Sequence, residues 1–236
     1  IKIKHKIDLA DIHPDSGNVV KFHEDKSGNI WIITTAGIFV KPHNEDIKPL
    51  IFSLGSITDI TEDKVGNVWI STLNNGIYKF SVSDIFNTSK IKHHSTENSN
   101  LKSNKITSIC IASDNKLWIG TKEGFIISYD ETTNEFIDIS STFKVIEEGI
   151  QNIVKDSLEH IWISTNKRLV EYNPSNETIR DYSKADGISV NSFLKDSYHL
   201  DKAGNLFYGG NGGITEFSSS ESTDQEPRHN HVLITD

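Results

Sequence analysis

Residues 57–80 read ITDITEDKVGNVWISTLNNGIYKF, and this stretch decides the fold. Ile57 and Ile60 open a short apolar alternation that runs into a polar corner, Glu62-Asp63-Lys64-Val65-Gly66-Asn67. Val68-Trp69-Ile70-Ser71-Thr72 follows as a second β-type run, and Asn74-Asn75-Gly76 turns it into a third, Ile77-Tyr78-Lys79-Phe80. Gly66 supplies the positive φ of a tight hairpin, and an Asp at position 63 bonds its own backbone two residues on. Asn-Gly between β-type runs is a strong short-range hairpin signal. The stretch predicts a three-stranded antiparallel meander.

The meander repeats. Aligned on the aromatic of its second strand, the other copies are VVKFHEDKSGNIWIITTAGIFV (Trp31), ITSICIASDNKLWIGTKEGFIISY (Trp118) and IQNIVKDSLEHIWISTNKRLVEY (Trp162). A fifth, FLKDSYHLDKAGNLFYGGNGGITEF, has Phe207 in place of Trp. Successive aromatics lie 38, 49, 44 and 45 residues apart. A period in this range built from short strands predicts the blades of an all-β propeller, each with four antiparallel strands. The outer strands are expected near Lys90–His94 and Glu135–Ile139. Ile1 to Asp8 alternates Ile and Lys and reads as an edge strand ahead of the first copy.

The chain has 236 residues, enough for one large β domain with a sizeable core. With 24 basic and 33 acidic residues the net charge is −9, and no basic run interrupts it, so nucleic acid is excluded as a partner class. Cys110, the single cysteine, sits in the apolar run Ile109-Cys110-Ile111 and reads as a buried small hydrophobe. No stretch has the length and apolarity to span a bilayer. Beginning at Ile1 and lacking methionine, the chain reads as a segment of a longer protein. Blades are assigned to 1–217, and the Ser-rich, aperiodic stretch 218–228 reads as a linker. Residues 229–236 begin another strand-forming unit.

The pattern Glu62-Asp63-x-x-Gly66-Asn67-Val68-Trp69-Ile70-Ser71-Thr72-x-x-x-Gly76 resembles the two-component regulator propeller repeat. The last copy, from Asp186-Gly187 through Tyr208-Gly209-Gly210 to Ile214, is similar to the closing blade of such propellers. Two copies depart at the corner: Ser113-Asp114-Asn115-Lys116 is shortened, and Glu159-His160 replaces Gly-Asn. The resemblance implies the periplasmic sensor region of a hybrid two-component histidine kinase, anchored in the inner membrane, that detects an oligosaccharide. It also implies an immunoglobulin-like sandwich beginning at 229–236 and a homodimeric parent receptor. Propellers of that family have seven blades, so the five copies are expected to form the C-terminal part of a larger one. A ring of five open at both ends would leave apolar blade faces bare.

Several residues invite a chemical reading. Trp31, Trp69, Trp118 and Trp162 recur among apolar neighbours in every blade, which favours packing between blades over sugar stacking. Glu24-Asp25 and Glu62-Asp63 have the look of a glycosidase carboxylate pair. A catalytic pair is needed once and a turn in every blade, so these acids and Gly28, Gly66 and Gly204 are read as corner formers. His93 and His94, as neighbours on a strand, point to opposite faces, and His229-x-His231 could share a face but lies beside the linker, so both pairs are assigned to the surface. No metal and no cofactor is expected. Asn18, Ser56, Asn104, Gln151 and Asn191 stand at the entrances of inner strands, where they would ring one mouth of the central channel and bond sugar hydroxyls. The expected function is a non-catalytic carbohydrate sensor. The alternatives are a lyase-like propeller enzyme, which needs a His or acid converging on the channel mouth, and a protein-interaction scaffold.

Overall fold

A computed structural model describes residues 6–143, 148–183, 186–188, 190 and 192–217. The first blade is β1 (Val19–Glu24), β2 (Ile30–Thr34), β3 (Gly37–Lys41) and β4 (Lys48–Phe52). The second is β5 (Ile57–Glu62), β6 (Asn67–Thr72), β7 (Ile77–Ser81) and β8 (Lys92–His94). The third holds β9 (Ile106–Ile111), β10 (Leu117–Thr121), β11 (Ile126–Asp130) and β12 (Glu135–Asp138). The fourth holds β13 (Ile150–Lys155), β14 (Ile161–Thr165), β15 (Leu169–Asn173) and β16 (Thr178–Tyr182). The fifth shows three strands among the described residues, β17 (Phe193–Leu200), β18 (Leu206–Gly210) and β19 (Gly213–Phe217). Strands pair antiparallel in chain order within every sheet, as a propeller blade requires. The expected outer strands of blades 2 and 3 are β8 and β12. Of the edge strand expected at 1–8, residues 1–5 lie outside the described residues, and residues 6–8 carry no strand and lead into a 3-10 turn at Leu9–Asp11. Asp8 accepts from the Ala10 amide, and this local capping competes with the extended form.

Four of the five corners are built on one acid, buried in blades 1, 2 and 4. Asp63 Oδ1 accepts from the amides of Val65 (3.0 Å) and Asn67 (2.8 Å), while Oδ2 takes the Asn67 amide and the Trp69 indole N–H (3.1 Å). Asp25 does the same for Ser27, Asn29 and Trp31, and Asp156 for Leu158, His160 and Trp162. Asp201 holds Ala203 and Asn205 in the fifth corner. Ala112 stands in this place in blade 3, whose backbone closes the same turn through its amide and the Lys116 carbonyl. The left-handed residue is Gly28, Gly66 or Gly204 in three corners (φ +78°, +84° and +90°). Asn115 (φ 64°) and Glu159 (φ 70°) adopt it in the other two, so the departures in sequence leave the turn intact.

Core lies between blades, not within them. Trp31 packs edge-on against Phe80 of the next blade (5.7 Å) and Trp69 edge-on against Tyr129 (5.2 Å), while Trp118 meets Tyr172 (5.6 Å) and Trp162 meets Phe217 (4.8 Å) at a tilt. Each Trp thus meets an aromatic on the third strand of the blade that follows. In blades 2, 3 and 4 the fourth residue of the inner strand faces back toward the preceding blade: Ile60, Ile109 and Ile153 are 7%, 3% and 1% exposed. Phe22 holds that register position in blade 1 and is 63% exposed. Among the described residues no apolar cluster joins blade 5 to blade 1, and the four clusters seal the four successive interfaces of an arc.

Candidate functional site

The third residue of each inner strand is polar and points to the centre of the arc: Lys21, Asp59, Ser108, Asn152 and, in blade 5, Lys195. A register shift beside this residue in β1, β5, β9 and β13 turns it inward. Lys21 Nζ lies 2.6 Å from Asp59 Oδ1. Asp59 Oδ2 accepts from Ser108 Oγ and the Ile109 amide, both at 3.1 Å, and Ser108 Oγ in turn accepts from the Ile153 amide at 3.0 Å. Asn152 is 1% exposed; its Nδ2 donates to the Leu194 carbonyl and its Oδ1 accepts from the Asp196 amide. One polar chain therefore runs through all five blades.

Blade 5 then sends it back across the channel. Five positions separate Phe193 from Tyr198 in β17, whereas two separate their partners Gly210 and Tyr208 in β18, so β17 bulges inward between them. Asp196 takes a left-handed φ of 57° at the crest. From the bulge Lys195 Nζ donates to the Thr58 carbonyl of blade 2 at 3.1 Å, and Asp196 Oδ1 comes within 4.0 Å of Lys21 Nζ. Glycine makes the room: a Cβ on Gly209 would meet Ser197 Oγ at 2.1 Å, and one on Gly210 the Ser192 carbonyl at 2.0 Å. Tyr198, half-buried near Asp59 and Asp196, has its phenol pushed up by desolvation first and those carboxylates second.

The residues predicted to ring the mouth occupy different stations. Asn18 and Ser56 are exposed, and their carbonyls accept from Thr35 and Leu73, tying inner-strand entrances to the following loops. Asn104 spends its side chain locally, accepting from the Thr96 amide and donating to Thr96 Oγ1 and the Glu97 carboxylate. Those bonds, Ser95 first, hold the Glu97 carboxyl down at about 2. Gln151 is the second residue of β13 and half-buried. Asn191, like 218–236 with the expected linker, sandwich start, His229 and His231, falls outside the described residues. Among the described residues no hydrogen bond joins any two of the predicted set. The residues that do converge were missed, although the signal was available: the third inner-strand position is polar in every copy.

His94 corrects the surface assignment. Its ring lies 6.2 Å from Trp69, 5.7 Å from Tyr129 and 5.2 Å from Phe136, and burial, then Lys92 and Lys79, holds its pKa below the ordinary histidine value. The aromatic core between blades 2 and 3 reaches the outer strand and takes this ring in. His93 stacks outside on Tyr78 at 4.3 Å. Between the two outer edges lies a groove of about 640 Å³ lined by Lys92, His93, His94, Asn98–Asn100, Asn134 and Glu135. Cys110 is buried in the core between blades 3 and 4, and desolvation pushes its thiol far up.

Comparison with known proteins agrees with this architecture. Residues 52–74 and 100–123 match the Two component regulator propeller family, and each span covers an inner strand, a corner and a Trp strand. The chain is 27% identical over 119 residues to Histidine kinase P4 of Formosa agariphila, a stretch that is 49% of this chain and 8% of that protein. The fold is similar to the extracellular domain of a hybrid two component system of B. thetaiotaomicron: TM-score 0.72, 23% identity, 86% of this chain and 28% of that one. It is also similar to virginiamycin B lyase from Staphylococcus aureus, with TM-score 0.62 and 16% identity over 91% of this chain and 73% of the lyase. The chain thus spans less than a third of the first two proteins it matches. Blades 2 and 3 thus carry spans that match the two component regulator propeller family, and the fold around them is that of an all-β propeller.

Proposed function

We propose that this propeller is a non-catalytic sensor segment in the extracellular or periplasmic part of a hybrid two-component receptor, and that the receptor detects an oligosaccharide. The observation that carries this reading is the match of blades 2 and 3 to the two component regulator propeller. Likeness to an extracellular domain of a hybrid system supports the placement. The acids that resembled a catalytic pair support a passive role, since Asp25 and Asp63 are consumed by indole and backbone donors and Glu62 by the Lys26 amide. Bare Phe22 at a position buried in later blades supports further blades ahead of these five, and the parent propeller has seven. Signal passes to a following sandwich through the 218–228 linker, and the ligand acts by favouring one arrangement of the two units.

The test is made in the intact receptor. Adding the cognate oligosaccharide is expected to change histidine phosphorylation, and shortening the linker to abolish that change without altering propeller stability. Turnover of an oligosaccharide by the purified chain, or a response indifferent to the linker, would overturn the sensor reading.

A further inference from the structure

The groove between blades 2 and 3 is preformed. Its roof, the loop after β8, is fixed by Asn98, which accepts from the Ser95 amide (2.8 Å) and donates to the His93 carbonyl (3.0 Å). Asn100 pairs with both the amide and the carbonyl of Phe136, fastening the same loop to β12. Asn134 is held from below, its Oδ1 accepting from the Tyr129 hydroxyl at 2.7 Å. Nothing in these walls must reorganise to receive a ligand, which removes a major cost of binding.

The groups left over differ in kind. Lys92 and Glu135 have no ion-pair partner among the described residues, Asn134 keeps its Nδ2 donors, and His94 Nε2 is a buried nitrogen with no hydrogen-bond partner. One cation and one anion cancel, so the groove selects neither sign of charge. A hydroxyl donates and accepts, and so answers an ammonium, a carboxylate and an amide N–H alike. A volume of about 640 Å³ lies within the roughly 300–1,000 Å³ range of small-ligand clefts.

We propose that this groove, on the outer edge of the propeller and away from its channel, binds a short neutral oligosaccharide of a few sugar rings. Lys92, Glu135 and Asn134 bond its hydroxyls, and the His94 ring, whose Nε2 is closed off from solvent, lies beside the bound sugar as part of the groove wall. This rests on the carbohydrate-sensor reading and gives it a site.

The chain labelled with 15N-histidine is titrated with maltotriose, xylotriose and laminaritriose to millimolar concentrations. At least one is expected to move the His94 imidazole resonances saturably. The double variant Lys92→Ala, Glu135→Ala, whose side chains are outside the core, is expected to keep the wild-type melting temperature and bind about tenfold more weakly. Calorimetric binding that leaves His94 unmoved, or that the double variant does not weaken, overturns the groove and spares the sensor reading. Failure of all three sugars to bind overturns the groove, while the sensor reading stands or falls on histidine phosphorylation in the intact receptor.

Discussion

At the scale of the residue, the corners separate backbone cost from side-chain cost. A Cβ on Gly66 would meet nothing within 4 Å, so its φ of +84° is the sole constraint there. Gly66→Val should therefore cost about 1–3 kcal/mol of stability through backbone strain alone. Glu159 already bears that strain at φ 70°, and its exposed carboxylate engages Lys155 at 2.7 Å and accepts from the Ser113 hydroxyl, solvent-exposed contacts of little net worth. Glu159→Gly should be neutral or stabilising, and urea denaturation of both variants checks the contrast. His94 gives a pH signature of defined sign. Its pKa in the fold lies below the 6.5 of the free side chain, so the unfolded chain binds the proton more readily. The stabilisation is complete above about pH 6.5 and is lost as pH falls through the folded value. Wild type should lose more stability between pH 7.5 and pH 5, roughly spanning that transition, than His94→Phe; parallel losses would refute the assignment.

At the scale of the element, strands exist here because the corner acid and the Trp are coupled. Trp69 is 1% exposed, meets Tyr129 across the interface and donates to Asp63. Trp69→Ala should cost about 3–5 kcal/mol, readable as a fall in the denaturation midpoint with the slope unchanged. The meander was legible because its signals are local: a turn acid, a left-handed residue, alternation and an aromatic at fixed offsets. The bulge of β17 was not legible. Leu194-Lys195-Asp196-Ser197 reads as one more alternating strand, and what displaces it inward is Gly209-Gly210 on the neighbouring strand, a pairing effect invisible along the chain. The channel residues were missed by one to four positions. Polar residues at strand entrances look available, yet there they close turns, whereas the third position is turned inward by a register shift that alternation alone does not announce. His94 was misplaced for a related reason, since its neighbours Trp69, Tyr129 and Phe136 come from three other strands in two blades.

At the scale of the molecule, the arc has one face prepared for a neighbour. Phe22→Thr should change the stability of this chain by less than about 0.5 kcal/mol, as exposed substitutions do. Ile60→Thr, at the same register position one blade later and 7% exposed, should cost about 2 kcal/mol or more. Comparable losses for the two would mean that the first face is covered. The corners along one rim are also hooked together. Lys26 donates its amide to Glu62 and its ammonium to the Asp63 carbonyl, Lys64 repeats this with Asn115 and Ser113, and Ser113 donates to Glu159. Every hook thus joins the corner of one blade to a carbonyl or side chain in the corner of the next. Blade 2 shows both halves at once, accepting from Lys26 through Glu62 and Asp63 and donating through Lys64. A unit that carries both halves of its own fastening is compatible with a copy of itself. Tandem duplication or loss of a blade-length stretch of gene then yields a chain whose new junction is already chemically matched, so the number of blades is free to drift while the junction chemistry stays constant.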